Sequence, residues 1–229
     1  MNTLNRIFSI SLLSAAVSLG HAAPILNISD EGQVAADAAE SAFISSLYTS
    51  TTDDFESYAA AADSSGQTLN FGSTVGSFSV DAGDVGTGGA CNSDGFSCSS
   101  GLAVLNSGTS PFNGRFATSP DNWLDSMDAQ VMTFTPNAGN NAAGFFMTDP
   151  NDAGGRFSIN GESFLFGDIF GSSLGSGKVF YISLFDDEGL TDFEIHANNS
   201  SDGYGIDDVT VGYKVPEPGT LALLGLGLA

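Results

Sequence analysis

The chain has 229 residues and carries 27 acidic against 5 basic side chains, which gives a formal net charge of -22. This balance excludes nucleic acid as a partner, because binding a polyanion requires clustered Lys and Arg side chains. Between the two terminal segments described below lie about 190 residues, enough for one domain with a hydrophobic core.

The N-terminus has the pattern of an export signal. Arg6 provides a positive charge, residues 7–19 are mostly apolar, and Gly20-His21-Ala22 places small residues where signal peptidase requires them. The sequence therefore predicts a signal peptide over residues 1–22, cleaved by signal peptidase after Ala22.

A helical segment is predicted next, within residues 23–52. The helix itself is predicted over Asp30 to Leu47, with Asp30 as its N-cap and Glu31 near the positive end of its dipole. The apolar residues at helical spacing, which should form the buried face, are Val34, Ala38, Ala42 and Phe43.

From residue 53 to residue 213 the apolar period changes to two, which is typical of strands with one buried face. Met132 and Phe134 alternate with threonines, and Phe193 and Ile195 alternate with polar residues. Turn-forming dipeptides such as Asn160-Gly161 separate the apolar runs at short intervals. We therefore expect a mainly β fold, an antiparallel jelly-roll-like β-sandwich with a short N-terminal helix.

The two cysteines lie close together in a polar stretch, residues 81–110, that is predicted to be a long loop. Cys91 and Cys98 are separated by a Gly-containing segment in a chain bound for an oxidising compartment. We expect them to form a disulfide.

The C-terminal segment, residues 214–229, has a distinctive composition. Val215, Pro216, Glu217 and Pro218 run directly into an apolar Leu/Gly/Ala segment. This pattern resembles the PEP-CTERM sorting signal, which is also catalogued as an ice-binding protein C-terminal motif. The resemblance implies a transient stay at the inner membrane, processing by an exosortase, and delivery to the cell surface or the extracellular space. Residues 221–229 are shorter than the roughly 20 residues that span a bilayer, so the tail is expected to be truncated.

Three internal segments resemble a PEP-CTERM-associated β-sandwich. They are AESAFISSLYTSTTDDFESYAA, AAGFFMTDPNDAGG and GYGIDDVTVGY. In the first, the resemblance implies a helix that leads into a strand at Phe55-Glu56. The resemblance places the chain in the cell envelope and assigns no activity.

Asp207 and Glu56 are the candidate metal ligands. Asp207 has the same parity as Val209 and Val211, so it should point inward and need a partner. Many jelly-roll carbohydrate-binding modules are similar at these two places and hold one structural calcium ion there. The alternative is that Asp207 is satisfied by backbone amides or a hydroxyl and that Glu56 is solvated.

A catalytic reading has weak support. Gly171 to Gly175 fits the G-x-S-x-G pattern, and Asp186 and His196 follow it in hydrolase order, but no strand-helix-strand context surrounds them. Trp123 is a candidate platform for stacking on a sugar ring.

We therefore expect an exported, non-catalytic protein of the cell surface or extracellular matrix. The first alternative is a carbohydrate-binding or adhesion module for exopolysaccharide, and the second is a glycan-active enzyme. A row of exposed aromatic side chains would favour the first alternative, and a cleft with two facing carboxylates would favour the second.

Overall fold

The computed structural model describes residues 23–150, 155–171 and 174–215. Within them, two antiparallel sheets face each other, which confirms the predicted β-sandwich; the jelly-roll topology is not confirmed. The predicted signal peptide and the residues from Pro216 onward lie outside the described residues. No described helix is long and apolar enough to cross a membrane.

In the part of the chain that the structure describes, the elements follow one another as short strands with two α-helices. The helices are α1 (Gln33–Ser45) and α2 (Phe166–Ile169). The strands are β1 (Ile25–Ile28), β2 (Thr49–Asp53), β3 (Asn70–Gly72), β4 (Gly76–Ser79), β5 (Ala103–Asn106), β6 (Asn122–Asp125), β7 (Val131–Pro136), β8 (Ala142–Thr148), β9 (Arg156–Ile159), β10 (Glu162–Leu165), β11 (Val179–Phe185), β12 (Phe193–His196) and β13 (Gly205–Tyr213).

The first sheet has the order β1-β11-β8-β13-β6-β5, and β2 pairs with β13 beside β6. The second has the order β10-β9-β12-β7-β4-β3. A tight turn joins β9 to β10, where Asn160 and Gly161 both have positive φ, 47° and 89°. This is the turn that the Asn-Gly signal predicts, because both central residues must adopt the left-handed region.

Aromatic side chains fill the space between the two sheets. Phe78 and Phe134 stack within the second sheet with ring centroids 4.5 Å apart, and Phe145 of β8 contacts Phe193 of β12 at 5.4 Å. Met132 is also fully buried there. The inward positions that the alternation predicted on β7 and β12 are thereby confirmed.

Helix α1 packs on the outer face of the first sheet, but its inner face differs from the prediction. Ala36 is buried and Phe43 packs against Tyr181, whereas Val34 is 85% exposed. The N-cap is Gly32, with no side-chain cap hydrogen bond, so the predicted capping by Asp30 is wrong. Residues 23–52, predicted as a helical segment, also contain strand β1 and most of β2. These two strands pair with β11 and β13 of the first sheet.

The region predicted as one loop, residues 81–110, contains strand β5 and two short 3₁₀ turns. Cys91 and Cys98 form the predicted disulfide, with Cα atoms 5.0 Å apart. The disulfide belongs to a second apolar cluster that includes Leu105 of β5 and Trp123 of β6. Strand β5 pairs with β6 and so brings this cluster against the edge of the first sheet.

Candidate functional sites at the two ends of the final strand

Strand β13 contains a bulge that places two acidic side chains together. Its register with β8 shifts between Asp207 and Thr210, and Asp208 has φ 45°. At this point the neighbour of β13 on its other side changes from β6 to β2. The extra residue reverses the inward-outward alternation, as bulges do.

The bulge overturns the parity argument for Asp207. Ile206 and Val209 belong to the core between the sheets, while Asp207 lies opposite Phe146, which packs on the outer face near α1. Asp207 therefore lies on the opposite face from the two valines. It is nevertheless fully buried, because the segment around Thr118 covers it.

Asp207 is satisfied by protein donors. Its Oδ2 accepts hydrogen bonds from the Thr118 amide at 2.7 Å, the Thr118 hydroxyl at 2.9 Å and the Ser119 amide at 3.1 Å. Its Oδ1 accepts one from the Asp208 amide at 2.8 Å. This arrangement is the alternative that the sequence left open for Asp207.

Glu56 is also engaged by amides, and its surroundings differ from the expectation. Its Oε1 accepts hydrogen bonds from the amides of Asp121 and Asn122 at 2.9 and 2.6 Å. Phe55 and Glu56 lie in a turn after β2, where Phe55 has φ 58°, so the predicted Phe55-Glu56 strand is wrong. A calcium ion shared by Glu56 and Asp207 stays a prediction, and the pair is a poor fit because N–H groups occupy the ligand positions.

Several carboxylates crowd this outer face. Burial, followed by the charges of Asp208 and Asp37, raises the pKa of Glu40 in α1 to about 7. Burial and Asp208 raise the pKa of Asp207 to about 7 as well, against the lowering effect of its hydrogen bonds. We call the group Glu40, Asp207 and Asp208 the bulge cluster.

A buried ion network lies at the start of β13. Arg115 is almost fully buried, with one guanidinium nitrogen 3.0 Å from Asp125 Oδ1 and the other 2.6 Å from Asp128 Oδ1. The same nitrogen lies 3.7 Å from Asp202, and the guanidinium carbon lies 3.8 Å from the centre of the Phe112 ring. Burial opposes the charge on Arg115, but Asp125 and Asp128 outweigh it and raise its pKa.

The network borders an open cleft of about 280 Å³. The polar residues that line the cleft are Asn113, Arg115, Asp128, Asp149, Ser176, Ser201 and Asp202. We call it the Arg115 cleft. We did not predict this cleft from the sequence, although one signal was present: Arg115, one of 5 basic residues in the chain, directly follows the turn-forming pair Asn113-Gly114.

One metal-like grouping lies beside this cleft. Within the described ranges, the His, Cys, Asp and Glu side chains that gather at ligand spacing are Cys91, Cys98 and Asp128. The two sulfurs are joined in the disulfide and are not thiolates, so the group does not suit a metal ion.

Trp123 does not serve as a stacking platform. Its side chain is 1% exposed, and its indole nitrogen donates to Asp125 at 3.0 Å. The prediction of glycan stacking at Trp123 is therefore wrong. Of the tyrosines, Tyr181 and Tyr204 are buried as well.

Of the residues proposed for a hydrolase triad, the two that the structure describes, Asp186 and His196, have other hydrogen-bond partners. His196 lies 2.6 Å from Glu194 on the outer face of β12, and Asp186 accepts from Asn160 and from the Glu188 amide. Ser173, the third member, lies outside the described residues.

At the far end of β13, Asn141 holds Lys214, the first residue of the tail. Its side-chain amide donates to the Lys214 carbonyl at 2.8 Å and accepts from the Lys214 amide at 2.7 Å. Its own backbone amide donates to Gly212 at 3.0 Å. Asn141 thus fixes both backbone groups of Lys214 to the sandwich.

Residues 214–229 match the model of the PEP-CTERM protein-sorting motif. The chain carries an exosortase sorting signal. It is therefore an exported protein, anchored at or released from the cell surface.

No curated protein matches the chain significantly. Among solved structures, it is similar to the K2 cleaved adhesin domain of Lys-gingipain, at 13% identity and a TM-score of 0.40. The match covers 71% of this chain and 99% of that domain.

Proposed function

We propose that this PEP-CTERM chain is a non-catalytic β-sandwich of the cell surface or extracellular matrix, and that it presents the Arg115 cleft away from its sorting tail. The observation that carries this proposal is the placement of two features along β13. The strand begins at Gly205, beside Asp125 and Thr148, and ends at Tyr213, just before the tail. Nine extended residues separate these ends by about 27 Å.

The chemistry of the cleft supports binding over catalysis. The Arg115 guanidinium pairs with both Asp128 and Asp202, so these carboxylates lie on one cation and do not stand free on opposite sides of a substrate. Asp149 accepts a hydrogen bond from the Gly177 amide and so fixes a neighbouring loop. His196 pairs with Glu194 of its own strand, 2.6 Å from Nε2 to Oε2.

A carbohydrate-binding role is the second candidate, and the polar lining of the Arg115 cleft favours it. Guanidinium, carboxylate, amide and hydroxyl groups can exchange hydrogen bonds with a polyhydroxyl ligand. A platform at Trp123 does not contribute, so an exopolysaccharide would have to be held by polar contacts. In this arrangement the tail end faces the cell, and the Arg115 cleft lies at the opposite end, where a polymer can reach it.

The test is retention of exopolysaccharide from the producing cells by the purified mature protein. We expect the wild type to retain the polymer and Asp202→Asn to retain much less, because Asp202 is the most exposed acidic residue paired with Arg115. Asp187→Asn, the same change of charge at the other end, is the matched control. Retention that is equal in all three proteins would contradict binding at the cleft.

Two further arms separate the remaining alternatives. Adding or chelating calcium shows whether retention depends on that ion. Incubating the protein with the polymer and assaying new reducing ends tests the glycan-active enzyme, for which we expect no release above that of a heat-denatured sample. Sustained release by the native protein would overturn the non-catalytic proposal.

A further inference from the structure

The folded body and the sorting motif are joined without a spacer. The motif begins at Lys214, and that residue is the one held through both backbone groups by Asn141. Asn141 is itself buried, and its carbonyl accepts from the Asp186 amide, so it belongs to the framework of the sandwich. The first residue free of this hold is Val215, which is 58% exposed.

The short connection limits how far the Pro-Glu-Pro box can stand from the body. Four extended residues, from Val215 to Pro218, reach about 13 Å at most. An enzyme that takes the box into its active site must bind residues on both sides of the scissile bond. Its surface must then come within that distance of the end of β13.

That end of the sandwich exposes apolar and aromatic side chains. Tyr48 is 79% exposed, and its amide donates to the Tyr213 carbonyl at 2.8 Å. Tyr213 is 41% exposed and lines a groove of about 570 Å³ together with Pro136, Leu190 and neighbouring loop residues. We call the surface formed by Tyr48, Tyr213, Val215 and this groove the tail-exit face.

We propose that the tail-exit face is the surface on which the exosortase docks while it processes the tail, and that Asn141 sets the position of the box relative to that surface. Exposed tyrosines give a protein partner a large contact area at little cost in side-chain entropy. The partner is a protein surface and not the lipid surface, because Asp187 and Glu188 line the same groove and repel anionic headgroups.

The experiment measures the rate of tail processing for the full chain in exosortase-containing cells. Pulse-chase labelling gives the rate, and the mass of the product shows that the tail has been removed. Tyr48→Glu places a charge on the docking surface without removing buried contacts, and we expect processing to slow several-fold. Val34→Glu is the matched control, because Val34 is similarly exposed but lies in the first turn of α1, two residues after Gly32, whose amide donates to the Val179 carbonyl at the other end of the sandwich.

A second pair of variants carries a flexible Gly-Ser spacer after Lys214, of about six residues, which adds about 20 Å of reach. The spacer frees the box from the body, so Tyr48→Glu in this background should be processed at the rate of the spacer variant alone. The proposal is overturned if Tyr48→Glu is processed at the wild-type rate. It is also overturned if Tyr48→Glu slows processing equally with and without the spacer, or if Val34→Glu slows it as much as Tyr48→Glu does.

Two controls complete the design. Flotation with vesicles of inner-membrane lipids should be the same for wild type and Tyr48→Glu, and a loss confined to Tyr48→Glu would make lipid the occupant and overturn the docking proposal. Glu217→Ala should abolish processing. If it and the wild type both stay uncut, the docking proposal fails, whereas retention of exopolysaccharide by the cleft is unaffected.

Discussion

Asp207 of β13 lies directly opposite Phe146 of β8, and this pairing places the carboxylate on the outer face of the first sheet, beneath the segment around Thr118. The bulge at Asp208 creates that placement. Without it, Asp207 would share the face of Val209 and lie between the two sheets. The outer position lets four donors reach the carboxylate but leaves it fully buried.

The first prediction concerns the pH dependence of stability. The folded-state pKa of Asp207 is raised to about 7 from 3.8, and that of Glu40 is raised in the same direction. A raised pKa means that the folded protein resists losing the proton, so the free energy of unfolding falls as pH rises from about 4 to about 7. We expect the protein to be more stable at pH 5.5 than at pH 8, as measured by urea unfolding at both values.

Asp207→Asn should reduce this dependence, because the amide mimics the protonated acid. Asp207 contributes on the order of 2 to 4 kcal/mol to this change in the free energy of unfolding with pH. Asp187→Asn, a change of charge at an exposed position, serves as the control. If the stability of Asp207→Asn depends on pH as strongly as that of the wild type, Asp207 does not cause the dependence, and the prediction is wrong.

The second prediction separates the two interpretations of Asp207. A calcium ion held by Glu56 and Asp207 would raise the melting temperature of the wild type by mass action, and much less that of Asp207→Ala. Because amides and a hydroxyl already satisfy Asp207, we expect equal shifts in the two proteins when millimolar calcium is added. A larger shift in the wild type, measured by calorimetry, would restore the calcium site.

The third prediction concerns the buried ion network. Arg115→Met leaves Asp125 and Asp128 buried without a counter-charge, and we expect a loss of about 3 to 5 kcal/mol in the free energy of unfolding. Adding Asp128→Asn should recover part of the loss, because one uncompensated charge is removed. Equal stability of Arg115→Met and wild type in urea would mean that the network contributes nothing to folding.

The fourth prediction concerns the disulfide. Closing a loop with seven residues of separation between Cys91 and Cys98 stabilises the protein by about 2 to 3 kcal/mol in the chain-entropy model. The double variant with serine at both positions should lose at least this much, since both sulfurs are buried. Thiol labelling of the denatured, unreduced wild type should find no free cysteine, and two labelled thiols would contradict the bridge.

The fifth prediction concerns export. The mature protein should begin at Ala23, because Gly20-His21-Ala22 has the small residues that signal peptidase selects. N-terminal mass spectrometry of the protein from the envelope or medium provides the measurement. A mature chain that still starts at Met1 would disprove cleavage.

The sequence by itself determined the features that depend on local pattern. The alternation on β7 and β12, the Asn160-Gly161 turn, the disulfide and the sorting motif are each specified by residues close together in the chain. Strand pairing preserves such patterns because the side-chain period of a strand is fixed at two. The fold class and the export of the chain follow from these features.

Only the tertiary structure decided where the acidic and aromatic side chains go. The bulge at Asp208 arises where β13 changes its neighbour from β6 to β2, and both of those strands lie far earlier in the chain. Trp123 is buried because β5 and the disulfide close over it, and Arg115 finds its carboxylates through chain segments that fold together at the start of β13. Burial and the pairing of Arg115 with Asp202 depend on contacts between segments far apart in the chain, so no local pattern specifies them. Asp125 and Asp128 are nearer, 10 and 13 residues after Arg115, but only the folded chain turns this stretch so that the three side chains meet.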